Sequence, residues 1–96
     1  MANLTLQGQV ALAENVSVTG GGVIWKGGAG MLTVEATFGG GSVSLQVLSG
    51  GNTWIAVGAN TTFTVNGVAG FLLPAGVSIL VAITTATAVS AYVVPF

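Results

Sequence analysis

Three side chains in this sequence are charged at neutral pH: Glu14, Lys26 and Glu35. There is no histidine and no cysteine. Two isolated carboxylates without an imidazole give neither a general acid–base pair nor a set of metal ligands. Serine and threonine hydroxyls are plentiful, but no base stands ready to activate one as a nucleophile. Without thiols there is no disulfide framework, and the redox compartment stays undetermined. The chain is therefore expected to be no enzyme and to hold neither cofactor nor metal.

The remaining side chains with a specific capability are aromatic. Trp25, Trp54 and Tyr92 offer apolar faces with polar handles that can stack on sugar rings. The amides available to bind sugar hydroxyls beside them are Asn52, Asn60 and Gln46. In a small β-domain such aromatics more often anchor a core or a subunit interface, which is the expectation adopted for all three. The glycine runs at Gly20–Gly22, Gly27–Gly30 and Gly39–Gly41 lack the lysine and following helix of a phosphate-cradling loop and read as turns. Asn3-Leu4-Thr5, Asn15-Val16-Ser17 and Asn60-Thr61-Thr62 fit the glycan-acceptor pattern. No basic segment with an unbroken apolar run opens the chain as a secretion signal would, so these triplets are given no role.

Composition narrows the partners. Of the 96 residues, 52% are hydrophobic. A single domain of this length buries only roughly 60 to 65% of its unfolded surface. Charged residues make up 3%, against about 25% in ordinary soluble domains. Apolar surface is thus expected to lie against another chain or against lipid. One lysine and no arginine cannot neutralise a row of phosphates, which argues against nucleic acid, nor can they draw the chain to an anionic membrane.

The elements that position these residues read as strands. Leu4, Leu6, Val10 and Leu12 alternate with polar or small neighbours, and Val16 and Val18 keep the same phase. This fits either an extended N-terminal arm that adds to a neighbouring sheet or ordinary first strands, over residues 1–19. Residues 20–96 read as one β-sandwich domain. In it, Val23–Trp25 is a brief strand, and Met31–Phe38 a longer one with Leu32, Val34, Ala36 and Phe38 on one face. Val43, Leu45 and Val47 alternate with Ser42, Ser44 and Gln46, and Thr53–Val57 returns beside them after a Gly-Gly-Asn turn. Thr61–Val65 and Val68–Leu73 flank Asn66-Gly67, the strongest hairpin-turn signal in the sequence. Val77–Ile83 is apolar on both faces, and Thr87–Val94 closes the series.

A membrane helix over Val77–Phe96 would have the required length and no charge. Its β-branched residues, its hydroxyls and the absence of flanking basic residues argue against it. The fold class expected is all-β: a small β-sandwich or jelly-roll-like barrel of about seven or eight short strands, with an extended N-terminal arm.

The run Gly40–Gly76, GGSVSLQVLSGGNTWIAVGANTTFTVNGVAGFLLPAG, somewhat over a third of the chain, resembles the small bacteriophage capsid decoration, or cement, proteins. The likeness lies in a strand of Ser, Val, Leu and Gln, a glycine-asparagine turn, a Trp segment ending Val-Gly, and a late Leu-Pro-Ala-Gly turn before an apolar strand. It implies a β-sandwich protein made in the host cytoplasm that sits on the outer surface of the virion, commonly as a homotrimer. It also implies that the protein clamps neighbouring subunits of the major capsid protein. Candidate capsid or subunit contacts are then Leu4, Leu6, Val10, Leu12, Trp25, Trp54 and Tyr92. The alternative is a head-fibre or tail-associated domain that binds a host surface glycan through its aromatics.

Overall fold

A computed structural model describes residues 10–95 as an antiparallel β-sandwich. In chain order the strands are β1 (Val10–Val16), β2 (Val23–Ile24), β3 (Gly28–Thr37), β4 (Ser42–Leu48), β5 (Trp54–Ala56), β6 (Thr62–Phe63), β7 (Gly67–Leu73), β8 (Ser78–Thr84) and β9 (Thr87–Pro95). A single 3-10 turn, Ala59–Thr61, lies between β5 and β6. The described residues thus hold nine strands against the expected seven or eight, and β2 and β6 among them are only two residues long. One sheet has the order β1-β9-β3-β7. The other runs β2-β8-β4-β5, with β6 also paired to β4.

The alternation in each central strand decides its inner face. Leu32 and Val34 of β3, Val43 and Leu45 of β4, Ile79 and Val81 of β8, and Val89, Ala91 and Val93 of β9 are all buried. They meet between the sheets, as expected where side chains alternate across a pleat. Leu80 is buried on the opposite face of β8 from Ile79 and Val81, so this strand is apolar on both sides as its sequence indicates.

Trp25 seals one end of the core. It leaves the line of β2 immediately after Ile24, which shortens the expected Val23–Trp25 strand by one residue. Its backbone clips to the turn before β8, with its N–H donating to the Val77 carbonyl at 2.8 Å and its own carbonyl accepting from Gly76 N at 2.9 Å. The indole Nε1 donates to the Gly28 carbonyl at 3.1 Å, and the ring lies tilted at 58° to Phe71 with centroids 5.0 Å apart. The buried indole polar group is thereby satisfied.

Two local expectations give way to the topology. Asn66-Gly67 does not join a hairpin: β6 pairs with β4 and β7 with β3, in different sheets. Neither Asn66 nor Gly67 takes the positive φ that a two-residue hairpin turn needs. Asn66 instead uses its Oδ1 to accept from Ala36 N at 2.9 Å, tying this corner to β3. The expected Thr61–Val65 strand keeps only Thr62–Phe63. By contrast, β4 and β5 form the predicted hairpin, pairing Leu48 with Trp54 across a loop in which Asn52 adopts φ 63.

Of the two readings left open for the N-terminal segment, the first-strand one fits Val10–Val16. Val10–Val16 is a strand of the chain's own sandwich, paired antiparallel with β9 from Val10↔Val93 to Val16↔Val89. Over these residues the alternation reports a first strand and not an arm, because Leu12 and Ala13 are buried in the core. Beyond it, Ser17 Oγ accepts from Ala88 N at 3.3 Å and Thr19 Oγ1 from Ile83 N at 2.9 Å, tying this stretch to the sandwich, while residues 1–9, including Leu4 and Leu6, lie outside the described residues.

Candidate interaction surface

The sequence candidates divide by position. Leu12 and Trp25 are 8% and 2% exposed, so they are core residues and present no contact surface. Val10, half-buried, packs against the same core. Trp54 and Tyr92 are half-buried on the outer faces of opposite sheets. A single binding platform built from Trp25, Trp54 and Tyr92 is thus excluded by their placement.

Tyr92 belongs to a broader surface. Register places Ala11, Tyr92, Thr33 and Val68 side by side across β1, β9, β3 and β7, on the outer face of the four-stranded sheet. The next row sets Val94 beside Met31 and Gly70, and the one beyond pairs Ala29 with Leu72. Val68 is 63% exposed and Leu72 75%. Of the charged residues, Glu35 stands on this face opposite Ser90, one row past Thr33 and Tyr92, and Glu14 is exposed on β1 at the edge of the same sheet. The arrangement is a sheet-wide, nearly neutral apolar patch with a phenol near its middle, a combination suited to protein contact.

The outer face of the five-stranded sheet differs. Ser44 and Gln46 of β4 stand opposite Ala82 and Leu80 of β8, and Ser44 Oγ lies 3.2 Å from Thr62 Oγ1. Here the Trp54 indole reaches to Gly22: a Cβ at that glycine would lie 2.8 Å from the ring Cη2. Trp54 therefore covers part of its own sheet and is only partly available to a partner.

The sheet edges are also unequal. β1 is bulged at two places, between Ala11 and Ala13 and between Ala13 and Val16, and carries Glu14 and the left-handed Asn15. β2 and β5 are two and three residues long. Bulges, charge and shortness are the usual ways of blunting an edge. β7 is unbulged, uncharged and seven residues long, and pairs in unbroken register with β3 on one side, Gly28↔Leu73 to Val34↔Gly67. Its other side is covered by the 3-10 turn Ala59–Thr61. On the other side Asn60 Nδ2, from the 3-10 turn, donates to the Gly70 carbonyl at 3.2 Å.

The sequence reading missed Met31, Val68, Leu72 and Val94 as surface residues. A signal was present, since both phases of Gly67–Leu73 carry apolar side chains. Its meaning depended on β7 lying beside β3, which the Asn66-Gly67 pair obscured. No known protein family matches this chain, and no curated protein is significantly similar to it. Among the described residues no group of three or more acidic, histidine or cysteine side chains comes together, and no helix is long and apolar enough to cross a membrane.

Proposed function

We propose that this protein is a non-enzymatic structural subunit of a bacteriophage virion, which decorates the outer surface of the capsid and bridges neighbouring copies of the major capsid protein. The observation that carries this reading is the neutral apolar face formed by Tyr92, Thr33, Val68, Met31 and Leu72 on a rigid four-stranded sheet. A shell-binding protein needs many identical contacts that hold over wide ranges of salt and pH. Apolar contacts meet that need, because they carry no charge for salt to screen or for protons to titrate. The resemblance of Gly40–Gly76 to capsid decoration proteins supplies the choice of partner, and a homotrimer is the assembly it favours.

Co-sedimentation with undecorated shells of the cognate phage tests the proposal. Saturable binding at a fixed ratio to capsid subunits is expected. Protein that keeps its β-type circular dichroism yet stays in the supernatant would remove the capsid role and return attention to the glycan-binding alternative, for which Trp54 and Tyr92 are the half-buried candidates.

A further inference from the structure

The dipeptide Asn66-Gly67 joins no hairpin, and neither residue takes a positive φ. Each answers to a different contact. A Cβ on Gly67 would lie 3.0 Å from Phe63 Cε2 and 3.2 Å from Cδ2, so the close approach of that ring calls for a residue without a side chain. Asn66 lies exposed in the bend between β6 and β7, with its Oδ1 held by Ala36 N at 2.9 Å. The fold thus fixes a side-chain amide at the surface, directly before a glycine.

Asparagine is one of the chemically labile residues. Its weak point is the amide carbon Cγ, which the main-chain nitrogen of the next residue can reach. A glycine there puts no Cβ in the way of attack and leaves the backbone free to turn into it. The other asparagines among the described residues, Asn15, Asn52 and Asn60, precede Val16, Thr53 and Thr61, whose branched Cβ crowds that nitrogen. Gly67 also belongs to the terminal pair of the β3–β7 ladder, opposite Val34, where local opening costs least. The Ala36 N–H donates to the oxygen on which negative charge develops when Cγ is attacked, and such a hydrogen bond strengthens as the charge grows.

From this juxtaposition we infer that Asn66 is a site of spontaneous deamidation in the folded chain, converting to a mixture of aspartate and isoaspartate. The Gly67 nitrogen gives its proton to solvent and bonds to Asn66 Cγ, closing a succinimide ring. The Cγ–Nδ2 bond breaks, and the amide nitrogen takes up a proton from water and leaves as ammonia. Water then opens the ring. Attack at Cγ gives aspartate in the original main chain, and attack at the main-chain carbonyl of residue 66 gives isoaspartate, with the backbone routed through Cγ. Water is the only co-reactant, and nothing is oxidised or reduced. Each conversion adds one negative charge to a chain whose net charge is -1, close in sequence to the exposed Val68 of the apolar face. The chemistry needs no partner and stands apart from the capsid role.

Timed incubation of the folded full-length chain at neutral pH, read by charge separation and by peptide mass mapping, tests it. Asn66→Asp marks where the acidic species runs. Asn66→Gln, whose longer side chain closes the ring far less readily, is expected to keep the fold and to stop that species from forming. Residue 66 is expected to convert on the order of tenfold faster than Asn15, Asn52 or Asn60, and fragment spectra are expected to show both aspartate and isoaspartate there. Conversion at residue 66 no faster than at those three, or found only in the urea-unfolded chain, would overturn the assignment. So would aspartate without isoaspartate, which is the product of direct hydrolysis with no ring closure.

Discussion

A Cβ placed on Gly30 would lie 2.7 Å from Phe71 Cζ and 2.8 Å from Trp25 Cη2. The pair of rings that closes this end of the sandwich thus requires a residue without a side chain on the neighbouring strand. Nothing in the sequence around Gly27, Gly28 and Gly30 separates this packing glycine from its turn-forming neighbours, of which Gly27 and Gly28 take positive φ. Gly30→Ala is expected to overpack the site and cost about 1–3 kcal/mol, read as a lower urea midpoint with an unchanged slope. An unchanged midpoint would mean that the indole moves aside freely. The placement of Trp25 has a functional consequence too: a side chain 2% exposed contributes nothing to a sugar site or a shell contact.

Among elements, those whose partners are near in sequence were legible. The alternation of Ser42–Leu48, the Gly-Gly-Asn loop and the return through Trp54 specify the β4–β5 hairpin because the turn and the pairing lie in one short stretch. Elsewhere consecutive strands fall in opposite sheets or are not neighbours, and β4–β5 is the one sequence-adjacent pair among the described strands. Local turn chemistry therefore misleads at Asn66-Gly67, whose backbone serves a crossover between sheets. Burial was legible as a period of two, but the neighbours of each strand were not. That is why the apolar rows joining β9, β3 and β7 emerge only from the register. The same reasoning bears on the N-terminal segment. Because β1 brings Leu12 and Ala13 into the core, removal of residues 1–18 is expected to abolish cooperative unfolding. The loss of Leu12 alone is on the order of 2–5 kcal/mol for a buried leucine, out of roughly 5–15 kcal/mol for a domain. A cooperative thermal transition in that truncated chain would show β1 to be dispensable.

Across the whole molecule, the scarcity of charge and the architecture agree on one economy of contact. The inner faces of both sheets build the core. One outer face mixes hydroxyl and amide groups with Leu80, Trp54 and the exposed Ile24, and the other leaves Val68, Met31, Tyr92 and Leu72 towards solvent. A surface of this kind associates by burying apolar area, so its attachment to shells is expected to change little between low and high salt. A steep loss of binding with salt would instead point to charge pairing through Glu14, Lys26 or Glu35. The most direct measurement is the shell occupancy of the double variant Val68→Asp, Leu72→Asp, set beside its unfolding midpoint. Both positions are exposed on the outer face and outside the core, so the fold is expected to lose no more than about 0.5 kcal/mol per site. Two carboxylates on the contact face are expected to abolish decoration of the shells. Full occupancy by the folded variant would contradict the assignment of this face as the contact surface.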